Sequence, residues 1–272
     1  NEEHEGEMGE PRVTALLEKL CATGFGGIYI HPRPGMLTEY LSPRWFELVR
    51  YTIKECCRLG MIPALYDENS YPSGFAGGQV PANNPELRSR YIEPIQGTGS
   101  ALPRGTISVY AFDQNRPGKR LDPDKIENTT SWIAFVLRDM EGEPFLAEGP
   151  YVSLLDPLAT EEFLECTHVA YKKNLSQAEW DALGGIFTDE PHLPGTSLGN
   201  WSPGLHFSHR VLAAFQKKFG YDLLQFLPDL YFDSDTSAAT RFDFYELLHF
   251  MWYESWAIPL SNWCCENSIQ LT

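Results

Sequence analysis

The chain has 272 residues, 43% apolar and 13% aromatic, with a formal net charge of −16. That size suits one large α/β domain, alone or with a sizeable insertion, and the apolar content excludes disordered and collagen-like classes. The acid excess argues against nucleic acid and against an anionic membrane surface, which both need clustered Lys and Arg, and fits a neutral substrate better than a phosphorylated one.

Residues 1–9 are acidic and read as a loop. Pro11 suits a first helical turn, and Val13, Leu16, Leu17, Leu20 and Cys21 follow at helical spacing, with Gly24 as the stop. Gly26 to Ile30 reads as a short buried strand that ends in a proline-rich loop, His31 to Gly35. Ser42 and Pro43 open a second helix whose inner stripe is Phe46, Val49, Ile53, Cys56 and Cys57, and Gly60 closes it. Met61 to Tyr66 is the next strand, running into Asp67 to Gly74. Helix, strand, loop, repeated with short connections, predicts parallel strands.

From about Arg90 to Tyr151 the pattern changes, with β-rich runs at Thr106 to Phe112 and Trp132 to Leu137 between turn residues. This reads as a small antiparallel β insertion on the loop face, where such insertions often wall a substrate cleft. Asp156 and Pro157 restart a helix, and Ser176 to Glu179 has capping-box spacing. Gly185 to Thr188 is a strand, and residues 192–204 form a loop containing Trp201. Val211 to Phe219 is helical, a short helix reaches Leu227, and a long one from about Ala238 to Glu266 is kinked at Pro259. Ser268 to Thr272 begins another strand.

The predicted architecture is α/β, a (β/α)8 TIM-barrel-type parallel sheet. The sequence accounts for four of its strands, at 27–30, 62–66, 185–188 and 268–272, so a partial barrel is expected. Residues 1–89 would supply the first βα units, 90–151 the insertion and 152–272 the continuing units. The remaining strands would belong to a longer parent chain, and the chain alone should turn over little or no substrate. No apolar run is long enough to span a bilayer and no signal peptide is visible, so a cytoplasmic location is expected. The six cysteines form no Cys-x-x-Cys pair, which reads as reduced thiols rather than disulfides or zinc ligands.

Polar groups fall at three strand ends: His31 and Arg33, then Asp67 and Glu68, then Asp189, Glu190 and His192. In a parallel sheet those ends point the same way, so the groups should converge on one cleft. Glycoside hydrolysis asks for such a set, one carboxylic acid to protonate the leaving oxygen and a second as nucleophile or base. Aromatic faces would stack on the sugar, and Tyr40, Tyr71 and Trp201 lie in loops that could supply them.

Gly26 to Arg33, Leu65 to Gly78 with its Tyr71-Pro72-Ser73-Gly74 loop, Leu155-Asp156-Pro157 and Ile186 to Pro191 resemble the hallmark loops of α-L-rhamnosidase-like bacterial glycoside hydrolases. The resemblance implies a (β/α)8 barrel, a plant or microbial glycan as substrate, an inverting reaction and Ca2+ at the sugar. Asp67 and Glu68 are oxygen donors that suit such an ion, whose ligand set stays open. Asp189-Glu190-Pro191 is also similar to the Asn-Glu-Pro that ends the fourth strand in a large clan of retaining glycosidases, which implies Glu190 as proton donor; Asp189 in place of Asn is the departure. Glu68 is then the strongest second carboxylate within the chain. Two other readings remain open. A metal-dependent hydrolase would use His31, Asp67, Glu190 and His192 as ligands, though no His-x-His pair supports it. A non-catalytic glycan-binding barrel would still bind sugar after Glu190→Gln.

Overall fold

The computed structural model describes residues 9–33, 35–140, 150–191, 193 and 204–272. Helix α1 (Glu10–Ala22) buries Val13 and Leu17. Strand β1 (Gly27–Ile30) leads to helix α2 (Pro43–Leu59), whose ends form as their residues dictate. Ser42 Oγ accepts from the Trp45 amide at 3.2 Å, and Gly60 closes the helix at φ +71°, a backbone region costly to any residue with a Cβ. Strand β2 (Ile62–Tyr66) pairs in parallel with β1, Gly27 opposite Ile62 and Ile30 opposite Leu65.

After a short helix α3 (Gln79–Asn83) come four strands, β3 (Arg90–Thr98), β4 (Thr106–Asp113), β5 (Arg116–Arg120) and β6 (Ser131–Asp139). Helix α4 (Pro157–Leu164) passes through a π turn, Glu165–Val169, into α5 (Ala170–Asn174). The capping box at Ser176 and Glu179 forms and opens α6 (Gln177–Asp181). Strands β7 (Ile186–Phe187) and β8 (Leu205–His206) follow, then helices α7 (His209–Phe219), α8 (Leu223–Phe226), α9 (Ser237–Trp252) and α10 (Ile258–Glu266). The expected long helix is two helices joined by a π turn at Tyr253–Ala257. Pro259 has no amide to return to the preceding turn, and the widened turn takes up the mismatch.

Among the described residues two sheets form, a parallel one in the order β1-β2-β7 and an antiparallel one in the order β5-β4-β6-β3-β8. The expected (β/α)8 TIM-barrel-type sheet does not form. Closure of such a barrel needs eight tilted parallel strands. Here the stretch between β2 and β7 is spent on antiparallel ladders joined by turns, and among the described residues the parallel sheet gains a single bridge, from Leu271 to Ile186, beyond its three strands.

The antiparallel sheet is curled and shares its core with helices from far along the chain. Ile92, Ile133 and Phe135 pack on one face with Phe163, Phe215, Phe244 and Trp256. Trp132, Ala134 and Val136 alternate with them and close a smaller cluster on the other face with Val109 and Ile126. Each large side chain so buried stabilises the fold by roughly 1.5–3 kcal/mol. All six cysteines are free thiols. Among the described residues no helix is long and apolar enough to cross a membrane.

Candidate active site

The parallel sheet has two unlike faces. Its register puts Ile30, Leu65 and Ile186 in one row and Tyr66 beside Phe187 in the next. Strand side chains alternate, so Leu65 and Ile186 point to α2 and pack with Phe46 and Ile53, while Tyr29, Tyr66 and Phe187 lie on the opposite side. That second face is an aromatic floor. Phe187 meets Tyr29 edge-on at 5.4 Å between ring centres and lies nearly parallel to Tyr66 at 5.6 Å, while His31 is stacked flat on Tyr66 at 3.4 Å. Tyr29 is 50% exposed.

Two carboxylates stand at the end of β7, each held by a phenol. Tyr66 Oη donates to Asp189 Oδ2 at 2.5 Å, and Tyr71 Oη donates to Glu190 Oε2. The bond to Glu190 pushes the Tyr71 phenol up to about 12, with burial adding to it. Burial, then the bond to Asp189, drives Tyr66 higher still, so both phenols remain donors across the ordinary pH range. Glu190 is exposed and sits at φ +41°, a left-handed conformation for a residue that has a Cβ and precedes a proline. The His31 pKa is lowered, first by burial and next by the cation of Arg33, so its ring is neutral at neutral pH. Its Nε2 is buried without a hydrogen-bond partner.

Asp67, Glu68 and Tyr40 lie elsewhere, which corrects the expectation that all three strand ends open on one cleft. Asp67 continues the parity of Leu65 and turns behind the sheet, where it is fully buried. Its Oδ1 accepts from Ser73 Oγ at 2.6 Å, and burial raises its pKa well above the carboxylate range. Glu68 is fully buried as well, inside the loop that follows β2. Its Oε2 accepts from the amides of Gly74, Phe75 and Ala76 at 3.1, 3.0 and 2.8 Å, and its Oε1 from those of Asn69 and Gly77. Burial pushes its pKa up to about 7 against the pull of those amides. A carboxylate enclosed by five amides organises the loop and presents no open oxygen to a substrate. Gly77 is required there, since it takes φ +62° and a Cβ would come within 3.1 Å of Asn69. Tyr40 is buried beneath the same loop, with its hydroxyl on the Asp67 carbonyl at 3.2 Å and its ring edge-on to Trp45.

Of the residues singled out in the sequence, the structure thus gathers His31, Tyr71, Asp189 and Glu190, with Arg33 exposed beside His31. His192 and Trp201 lie outside the described residues. Sequence reasoning missed Tyr66, which binds both His31 and Asp189, and Ser73, whose amide donates to the Asp189 carbonyl and whose Oγ accepts from the Asp189 amide, both at 2.8 Å. It also missed the floor of Tyr29 and Phe187. The available signal was parity: Tyr29 and His31 share one face, as do Phe187 and Asp189, and Asp67 cannot share a face with Tyr66.

A calcium site built on Asp67 and Glu68 does not fit these positions. Ca2+ takes six to eight oxygens, and the pair leaves one oxygen, Asp67 Oδ2, without a partner. Among the described residues no group of three or more His, Cys, Asp or Glu side chains is placed to hold a metal ion, so the described members of the ligand set His31, Asp67 and Glu190 do not form one.

No family model and no curated protein sequence matches the chain. Among solved structures it is similar to a rhamnosidase from Novosphingobium sp. PP1Y, with a TM-score of 0.61 at 12% identity, over 98% of this chain and 44% of that one. At that identity the likeness is one of fold, a distant rhamnosidase-like fold. The chain spans less than half the length of that structure.

Proposed function

We propose that this chain carries the carbohydrate-binding and acid end of a glycoside hydrolase of the rhamnosidase kind, acting on a plant or microbial glycan. One observation carries the reading: two neighbouring carboxylates, each fixed by a phenol, stand at the ends of parallel strands beside an aromatic face on which Tyr29 is half exposed. The likeness in fold to a rhamnosidase supports it.

In this reading the apolar side of a sugar ring lies on Tyr29 and Phe187, and its hydroxyls bond to Asp189, His31 and Arg33. Glu190 delivers its proton to the glycosidic oxygen as the bond from that oxygen to the anomeric carbon breaks. Asp189, held by Tyr66, stabilises the positive charge that grows on the ring, and water completes the hydrolysis. Glu68 has no part in proton transfer; it holds the loop that carries Tyr71.

The test pairs binding with turnover. Titration with a 4-nitrophenyl α-L-rhamnoside should move the NMR signals of Tyr66 and Phe187 to saturation. In the hydrolase that contains this chain, Glu190→Gln should cut release of nitrophenol by about 10²–10⁴-fold, the range for loss of a general acid. Turnover that ignores Glu190→Gln would remove the proposal.

A non-catalytic glycan-binding face is the second reading. The enclosure of Glu68 favours it, because a binding face needs no further acid. It predicts saturable sugar binding that survives Glu190→Gln, with no hydrolysis in any longer form of the protein.

A further inference from the structure

We propose that Asp67 and Ser73 are positioning residues, a buried pair that sets where the Asp189–Glu190 strand end lies. The consequence for turnover rests on the hydrolase reading, but the positioning itself can be tested without substrate.

Ser73 clamps the residue before Glu190 in both directions. Its amide donates to the Asp189 carbonyl at 2.8 Å, and its Oγ accepts from the Asp189 amide at 2.8 Å. A hydroxyl has a single proton, and Ser73 spends it on Asp67 Oδ1 at 2.6 Å. That commitment leaves lone pairs facing the Asp189 amide. Without an acceptor at Asp67, the proton could turn elsewhere and the clamp would lose its direction. Tyr151 holds the clamp from below, its hydroxyl donating to the Ser73 carbonyl.

The Thr188 hydroxyl lies near Asp67 as well and draws its pKa down against burial, while Asp67 Oδ2 and Thr188 Oγ1 are both buried without a hydrogen-bond partner. Thr188 precedes Asp189, so Asp67 adjoins the strand end it holds through Oδ1 and Ser73. The charged groups facing Asp67 are acids, Glu68 and Asp189, and the other titratable groups near it are the phenols of Tyr40, Tyr66 and Tyr171 and the thiol of Cys264. The bond from the Ser73 hydroxyl is therefore what this carboxyl relies on. A glutamate held at φ +41° needs such bracing, because the conformation persists only where its surroundings impose it.

Tyr71 is the reporter. Its phenol is pushed up to about 12 chiefly by its bond to Glu190, so it should titrate nearer the ordinary value of about 10 whenever that carboxylate moves away. Residue-resolved tyrosine NMR across alkaline pH reads this directly, with Glu190→Gln as reference. Ser73→Ala and Asp67→Ala should each lower the Tyr71 pKa by about one unit or more, while Asp67→Asn, which keeps the acceptor for Ser73, should not. A merely structural role for the pair would lower stability and leave Tyr71 where it is in the folded protein. Unchanged Tyr71 in folded Ser73→Ala and Asp67→Ala proteins, or an equal shift in Asp67→Asn, overturns the proposal. Should the alanine variants not fold, hydrogen exchange of the wild-type protein decides: the Asp189 amide should be as protected as that of Leu65, and exchange at the rate of a free amide overturns it. If Tyr71 responds as expected but no sugar binds, the positioning stands and the carbohydrate reading falls.

Discussion

The Tyr66 hydroxyl donates to Asp189 Oδ2 at 2.5 Å while the same ring lies flat against His31. One side chain in the middle strand thereby joins the ends of both neighbouring strands. His31 and Asp189 are far apart in the chain, and the parallel register of β1, β2 and β7 is what brings them to either side of one phenol.

Tyr66→Phe separates the two contacts. It keeps the ring against His31 and removes the bond to Asp189, at about 1.5–3 kcal/mol for a hydrogen bond to a charged group. Tyr66→Ala loses the ring as well and should cost on the order of 3–5 kcal/mol. Urea unfolding of the two variants checks the order, and equal losses would mean that the bond to Asp189 contributes nothing.

The backbone of Glu190 yields a paired comparison. Glu190→Ala and Glu190→Gly both remove the partner of Tyr71, but only glycine is at ease at φ +41°. The glycine variant should be more stable than the alanine variant by about 1 kcal/mol, read as a higher thermal midpoint. An alanine variant at least as stable would show that the backbone is not strained there.

Glu68→Ala leaves five amides of the loop after β2 without their acceptor. A loss of about 3–5 kcal/mol is expected, as for breaking a buried charged network, together with fast hydrogen exchange at Gly74 to Gly77. Glu68→Gln keeps one carbonyl oxygen and should lose less. Unchanged exchange in the alanine variant would show that the loop holds itself.

Both buried acids make stability fall as pH rises. The Glu68 pKa is raised from 4.5 to about 7 and that of Asp67 is raised too, in each case mainly by burial. The folded protein therefore binds more protons than the unfolded one between the two values, and the stability linked to Glu68 is full below pH 4.5 and lost on the way to about 7. Asp67→Asn removes its own share, so its stability should fall less steeply with pH than that of the wild type. Parallel curves from urea midpoints would refute the assignment.

Much of the local structure is legible in the sequence because local chemistry dictates it. Ser42, Pro43 and Gly60 bound α2, and Ser176 with Glu179 opens α6. Other elements give weaker signals. Strand β5 is an edge strand of arginine, lysine, glycine and proline with no alternation to detect. Strand β3 contains Pro94, which reads as a breaker, yet β8 pairs only with Tyr91 and Ile92, so on that side no ladder reaches the proline. Sheet closure is a long-range property, and strands as short as Gly27–Ile30 carry no mark of what pairs at their far edge. At the site, the acids at the strand ends are visible in the sequence. Which of them face solvent depends on parity and on a loop that folds back over Glu68.

The central claim is that the face bearing Tyr29, Tyr66, Phe187 and Asp189, with Glu190 next to it in the chain, receives a sugar. The direct measurement is a titration of the protein with an α-L-rhamnoside, followed by the aromatic NMR signals of all the tyrosines and phenylalanines. The account predicts saturable shifts at Tyr29, Tyr66, Tyr71 and Phe187, with buried Tyr40 and Tyr171 unmoved. Shifts confined to other regions of the molecule, or none up to concentrations at which a weak sugar site would fill, would contradict it.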